Sequence, residues 1–226
     1  MPHVPAQRDD HEGRWTKARA RLVAALTAEG GLSEIALAAL AAVPRHRFVP
    51  PSHRADSYAN RPLPIGRGQT ISQPFMVGWL VDAVRAGPGS RVLEIGTGCG
   101  YQAAVLAATG AQVWSIEIRR PLAEAARARL DALGLGAVTT RVGDGAKGWP
   151  EAAPFDGIVL TAAPSSPPTG LLDQVAIGGC LVAPVGPQGD AQVLIRQTRV
   201  GDDEWTVEVL GGCRFVPLVD ERFRAV

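Results

Sequence analysis

Cysteine is scarce in this chain, and what there is does not pair. Cys99, Cys180 and Cys213 are the three thiols among 226 residues. None stands in a Cys-x-x-Cys pair, and an odd, widely spaced set argues against a disulfide framework and for a reducing compartment, the cytoplasm. Histidine is also sparse. His3, His11, His46 and His53 all precede Arg54, and none sits at metal-ligand spacing from another His or a Glu, so no metal site is expected. His3 and His11 are expected in a frayed N-terminal stretch, and His46 and His53 on the surface beside a proline-rich loop. Excess charge is missing too. A formal net charge of +1 gives no field to recruit nucleic acid or an anionic membrane. The basic residues Arg8, Arg14, Lys17, Arg19 and Arg21 read as a solvated helix face. No apolar run reaches the ~20 residues that span a bilayer, and Met1 to Arg21 has no apolar signal core, so neither secretion nor membrane insertion is expected.

What the chain does contain is enough apolar sequence (46% hydrophobic, 20% charged) for a sizeable core. One compact domain is expected, with an N-terminal addition. Its most informative run is Arg91-Val92-Leu93-Glu94-Ile95-Gly96-Thr97-Gly98-Cys99-Gly100, a short apolar strand, an acid and glycines at alternate positions. Gly96, Gly98 and Gly100 mark positive φ or close approach of a ligand. A dinucleotide fold wants its third glycine or alanine one place later, where this chain has Tyr101, and no Gly-Lys-Ser/Thr phosphate cradle follows. A phosphate-free nucleoside suits the turn better, and S-adenosylmethionine is the commonest such ligand. Gln112 to Ile116 reads as a second strand ending at Glu117, about 20 residues past the first glycine, the separation used to hold ribose hydroxyls. Val138 to Val142 reads as a third strand entering Gly143-Asp144-Gly145, where Asp144 could accept from an adenine amino group. Three βα units presenting these groups at the carboxyl ends of parallel strands make a binding edge.

Helices are expected over Arg14 to Glu29 and, capped by Ser33, over Glu34 to Ala42. Val43 to Thr70 is rich in proline and lacks helix or strand periodicity. Its apolar Phe48, Val49, Tyr58, Leu63 and Ile65 predict an ordered loop over a site. Ser72 reads as the N-cap of a helix from Pro74 to about Arg85, gathering free backbone N–H groups around it. Beyond the third strand, Phe155 to Thr161 is a fourth, with a rigid exit loop Ala162 to Pro168. A helix near Gly170 to Val175, a strand Cys180 to Val185 and β-rich runs Gln192 to Arg199 and Trp205 to Leu210 complete the sheet. The expectation is an α/β fold with a doubly wound, mostly parallel sheet, an antiparallel edge and a small N-terminal helical addition. Residues 1–72 would be helices plus substrate-covering loop, and 73–226 the cofactor-binding core.

These residues closely resemble the protein-L-isoaspartate O-methyltransferase family. The resemblance is carried by Val43-Pro44-Arg45 with Phe48-Val49, by Leu63-Pro64-Ile65-Gly66, and by Gly68-Gln69-Thr70-Ile71-Ser72-Gln73-Pro74. Glu94 to Gly98, Gly143-Asp144-Gly145 and Phe215-Val216-Pro217-Leu218 follow in family order. It implies a Rossmann-like class I fold that uses S-adenosylmethionine to methylate the free carboxylate of isoaspartyl residues in damaged proteins or peptides. It also implies cofactor contacts from Thr70, Ile71, Ser72, Glu94, Gly96, Thr97, Gly98, Gly100, Glu117, Asp144 and Gly145. Substrate contacts would come from Leu63, Pro64, Ile65, Ser72 and Val216, with Ser72 the active-site residue. Cys99 stands where a serine is usual, and the segment before Trp15 is longer than in the shortest members. A carboxylate of pKa near ~4 is already ionised at neutral pH and needs no general base, which explains the absence of an evident catalytic His or Lys. Three rivals remain. One is a methyltransferase acting on ordinary aspartate in a peptide natural-product precursor, disfavoured because no gripping domain is evident beyond Leu218. The others are a non-catalytic module of the same fold, and an NAD-dependent reductase disfavoured by the glycine spacing. Nothing reads as a dimer seam, so a monomer is expected.

Overall fold

In the computed structural model, residues 8–166, 169–187 and 190–220 are described, with the side chains of 8–11 excepted. His3 and the side chains of Arg8 and His11 therefore lie outside the described residues. Helices α1 (Arg8–Glu29) and α2 (Glu34–Ala42) open the chain. Ser33 caps α2 as expected, its hydroxyl accepting from the Ala36 amide at 3.1 Å. Of the basic residues on α1, Arg14, Lys17 and Arg21 are exposed and Arg19 half-buried.

The proline-rich stretch is more regular than its periodicity suggests. It contains two short 3₁₀ turns, Arg45–Arg47 and Pro51–Asp56, then a hairpin of β1 (Leu63–Gly66) and β2 (Gln69–Ile71). Leu63 pairs with Ile71 and Pro64 with Thr70. Four-residue strands carry too little alternation to be read from sequence, and prolines mask them. The turn needs positive φ through Gly66, Arg67 and Gly68, two of them glycines that take it freely. Helix α3 (Pro74–Ala83) follows.

The main sheet is built from β3 (Arg91–Ile95), β4 (Gln112–Glu117), β5 (Thr139–Val142), β6 (Phe155–Leu160), β7 (Val175–Val185), β8 (Gln192–Arg199) and β9 (Trp205–Cys213). Their order is β5-β4-β3-β6-β7-β8-β9. The first five neighbours are parallel, while β8 runs antiparallel to both β7 and β9, giving the expected antiparallel edge. Helices α4 (Tyr101–Ala108) and α5 (Arg120–Ala132) make the crossovers between β3, β4 and β5. Strand β7 starts at Val175, and the segment before it is a 3₁₀ turn, Thr169–Gln174, in place of the expected helix.

Side chains alternate across the sheet and feed two cores. Val92, Val159 and Val182 join α1 to α4 on one face. Leu93, Ile95, Ile158, Leu160 and Leu181 pack on the other, under 3₁₀ segments that contribute Leu171 and Ala152. Leu22, Leu26, Phe48 and Leu63 share the first core with the sheet, so the N-terminal addition and the sheet are one packed unit. The chain leaves β3 toward β4 and β5 and returns to β6 on the other side of β3. The crevice for a ligand is therefore set at the carboxyl end of β3. Among the described residues no helix is long and apolar enough to cross a membrane.

Candidate active site

At the end of β3 the chain turns sharply. Gly96 has φ +103°, and its amide donates to the Ile116 carbonyl at 2.8 Å. A side chain there would begin 2.4 Å from Thr161 Oγ1, which itself donates to the Gly96 carbonyl at 2.6 Å. Gly98 has φ +54° and faces Ile65 of the hairpin, whose Cδ1 lies 3.5 Å from where a Cβ would stand. The hairpin thus roofs the glycine turn. Gly100 differs. It caps α4 at φ +90° and faces Ala126 and Leu130 of α5, so its close approach is to a neighbouring helix and it does not line the cleft.

Glu117 ends β4 with its carboxylate fixed by two backbone donors, Gly98 N–H to Oε2 at 2.8 Å and Arg119 N–H to Oε1 at 2.9 Å. The residue is 6% exposed, and each oxygen keeps a lone pair for a further donor such as a hydroxyl. Glu94 lies elsewhere. It is in register with Ser115, fully buried, and its Oε2 accepts a short hydrogen bond from the Ser115 hydroxyl. Ser115 Oγ in turn lies 2.6 Å from Thr97 Oγ1. Burial pushes the Glu94 carboxyl up to about 8, with the Ser115 hydrogen bond opposing that and Glu117 reinforcing it. Its Oε1 makes no hydrogen bond of normal geometry, though the Ala103 amide also favours the ionised form weakly. Glu94 supports the floor of the turn and is not on the cleft surface, because strand alternation turns it toward the helical side with Val92.

Two adjoining chambers open around this turn, of about 550 and 340 Å³ including space open to solvent. The outer is lined by Glu117, Gly145 and Val216 with the apolar Ile95, Ile116 and Ile118; the inner by Ile71, Ser72 and Thr97. Thr70, Gly96, Gly98 and Thr161 line both. Asp144 stands behind Gly145, its Oδ1 accepting from Ala146 N–H at 2.9 Å to cap the turn Gly145–Lys147. Val216 reaches the cleft because the C-terminal segment is tied to the exit of β6: Ala163 N–H donates to the Val216 carbonyl and Leu218 N–H to the Ala163 carbonyl, each at 2.8 Å. Of the expected substrate residues, Leu63 is 0% exposed and belongs to the core, because the first β1 position points inward. Pro64 is exposed on the outer side of the hairpin, and Ile65 leans over Gly98.

Ser72 is half-buried and does not cap α3. The cap position is Gln73, which makes no side-chain capping bond. The Ser72 hydroxyl has no hydrogen bond to the described residues. Thr161, Arg119, Tyr101 and Gln102 also line the chambers and were not singled out by sequence reasoning. Thr161 arrives through pairing of β6 beside β3, a contact between residues far apart in sequence that no local pattern encodes. Neither His nor Lys is among the described lining residues.

His46 is buried, contrary to the expected exposure. It stacks on Trp15 at 5.0 Å, and its Nδ1 lies 2.8 Å from the Tyr58 hydroxyl. His53 is half-buried. All three cysteines are free thiols, and among the described residues no His/Cys/Asp/Glu group could hold a metal ion.

Comparison with known proteins gives a consistent family. Residues 17–223 match the model of Protein-L-isoaspartate(D-aspartate) O-methyltransferase. The chain is 53% identical over 203 residues to a protein-L-isoaspartate O-methyltransferase of Methylorubrum populi, covering 89% of this chain and 95% of that one. It is 50% identical over 200 residues to the Gloeobacter violaceus enzyme of the same name, covering 87% and 96%. A solved protein-L-isoaspartate O-methyltransferase superposes with a TM-score of 0.79 at 28% identity, covering 88% of this chain and 65% of that one. A Plasmodium falciparum structure of the same description, in complex with S-adenosyl-L-homocysteine, shares the fold with a TM-score of 0.78 at 22% identity, covering 89% and 98%.

Proposed function

The chain belongs to the protein-L-isoaspartate(D-aspartate) O-methyltransferase family, and from that premise we propose how its cleft methylates the free carboxylate of L-isoaspartyl residues. The observation that carries the reading is the meeting of a side-chain-free glycine floor, a doubly anchored Glu117 and a Ser72 hydroxyl with no hydrogen bond to the described residues, in adjoining chambers.

The residues suit S-adenosylmethionine. Glu117 offers acceptors to sugar hydroxyls, Ile95, Ile116 and Ile118 give apolar walls for a base, and no lysine is among the described residues that line the space. Gly96, Thr97 and Gly98 would form the floor, Gly145 a side wall, and Thr70, Ile71 and Ser72 the junction with substrate. Glu94, Gly100 and Asp144 would act from behind, by holding those groups in place. When bound, the cofactor supplies an electrophilic methyl group carried on a sulfonium.

What the chain contributes is positioning and exclusion of water, which can be worth several kcal/mol, up to ~7–11 at best. An isoaspartyl carboxylate is ionised at neutral pH, so no proton need be removed, and the lack of His and Lys among the described lining residues supports this. Ser72 would donate one hydrogen bond to that carboxylate. A single neutral donor orients the anion without stabilising it so strongly that it stops being a nucleophile. Ile65 and Val216 would shield the bound groups. The methyl ester has a leaving group that the carboxylate lacks. The adjacent backbone nitrogen can therefore attack the ester carbonyl, the C–OCH3 bond breaking and the methoxide departing with the amide proton as methanol, to close a succinimide whose hydrolysis by water returns part of the material to ordinary aspartate.

The free thiols support work in a reducing compartment, the cytoplasm, and the reading is of a monomer. Residues 1–72 would cover the substrate and 73–226 hold the cofactor, within one packed unit. Incubation of an isoaspartyl peptide and its aspartyl twin with S-adenosylmethionine, read by mass spectrometry, should show a methyl ester on the first and little on the second. Equal labelling would reject the assignment in favour of a methyltransferase for ordinary aspartate.

A further inference from the structure

Ser72 makes no side-chain hydrogen bond to the described residues, and the capping that its position suggests is done by another residue. Helix α3 begins with Pro74, which has no N–H, so Phe75 carries the first backbone donor inside the helix and needs an acceptor. That acceptor is the side chain of Asn60, fifteen residues earlier, whose Oδ1 lies 3.0 Å from the Phe75 amide. The cap position, Gln73, contributes no side-chain bond.

Asn60 is itself on an anchored segment. Arg45, fully buried, donates from Nε to the Ser57 carbonyl at 2.8 Å and from Nη2 to the Arg61 carbonyl at 3.3 Å, so both ends of the turn carrying Asn60 are clamped to one guanidinium. Its charge has no carboxylate partner among the described residues, and its Cζ lies 5.0 Å from the centre of the Tyr101 ring, a wall of the inner chamber. On the other side of Ser72, Ile71 is held by pairing with the buried Leu63. The three residues Ser72-Gln73-Pro74 are thereby fixed at both ends, by the hairpin register and by Asn60.

We propose that Asn60 is a positioning residue for the methyl transfer: by capping α3 in place of Ser72, it both sets the path of the Ser72 segment and leaves the Ser72 hydroxyl available to the substrate carboxylate. This rests on the role proposed above for Ser72. Asn60 is exposed, so its replacement leaves the core intact.

The test is kinetic, on the full chain with an isoaspartyl peptide, alongside Ser72→Ala. Loss of a cap costs about fivefold to tenfold in a coupled equilibrium. Asn60→Ala should lower kcat by about that factor with the cofactor Kd within roughly twofold of the parent. Asn60→Asp, which keeps the acceptor, should restore turnover. Amide hydrogen exchange across Ser72 to Met76 should quicken in Asn60→Ala alone. The double variant Asn60→Ala/Ser72→Ala should be no slower than Ser72→Ala, because both act through one hydroxyl. Parental kcat in Asn60→Ala, unchanged exchange, no rescue by Asp, or fully additive losses would each overturn the proposal. Full activity of Ser72→Ala would instead remove the Ser72 reading beneath it, a separate result.

Discussion

Two carboxylates twenty-odd residues apart divide the work at the glycine turn, and their surroundings say how. Glu117 holds two backbone amides and faces the cleft. Glu94 is buried beneath it, bonded to Ser115 and pushed up to about 8 from an ordinary 4.5. Glu117→Ala should weaken cofactor binding by roughly tenfold to a hundredfold, the worth of hydrogen bonds to a charged group, with a smaller effect on turnover. Ser72→Ala should do the reverse, with kcat lowered by roughly tenfold to a hundredfold and cofactor affinity near normal. Calorimetric titration of the cofactor and steady-state rates on an isoaspartyl peptide separate the two. Glu94 predicts a pH effect on stability. The folded chain keeps its proton up to about pH 8 while the unfolded chain releases it near 4.5, so stability is full below the lower value and declines as pH rises through the higher one. Urea melts between pH 5 and 8 should show this slope in the parent and a flatter one in Glu94→Gln; equal slopes would remove Glu94 as its source.

At the level of elements, the strands and the helices between them were legible because each pattern was long and its punctuation local. The strand Arg91–Ile95, the acid ending β4 and the Ser33 cap are all where residue type and spacing put them. The hairpin was hidden by its prolines and its brevity. The cap of α3 was misplaced because its donor finds an acceptor, Asn60, that sequence distance conceals. The site was half legible for the same reason. Gly96, Gly98, Glu117 and Ser72 sit in motifs, whereas Thr161 reaches the cleft through topology, Arg119 follows Glu117 by two residues with no motif to mark it, and Leu63 carries a family motif into the core. Gly100 shows that a motif glycine can serve packing instead of ligand approach. At φ +90° a side chain is strained even though its Cβ would meet Ala126 at an ordinary 3.4 Å, so Gly100→Ala should cost about 1–3 kcal/mol through the backbone. Denaturant melts check this, and an unchanged midpoint would contradict the strain.

Taken whole, the molecule is a mostly parallel sheet whose strand order changes direction at β3, with an N-terminal layer sharing its main core and roofing the crevice that this change creates. The fold alone accounts for a cofactor site. In the function proposed above, the hairpin, α3 and the tethered segment around Val216 would hold the substrate carboxylate beside that site. Nearly balanced charge, a formal +1, gives the molecule no global steering field toward a substrate of either sign. The most direct test follows one purified isoaspartyl peptide through repeated turnover with S-adenosylmethionine, separating isoaspartyl, succinimidyl and aspartyl forms by chromatography. A falling isoaspartyl fraction, a transient succinimide and accumulating aspartyl peptide are expected, none of them without the cofactor. An isoaspartyl fraction that stays constant in the presence of active cofactor would contradict the proposed function.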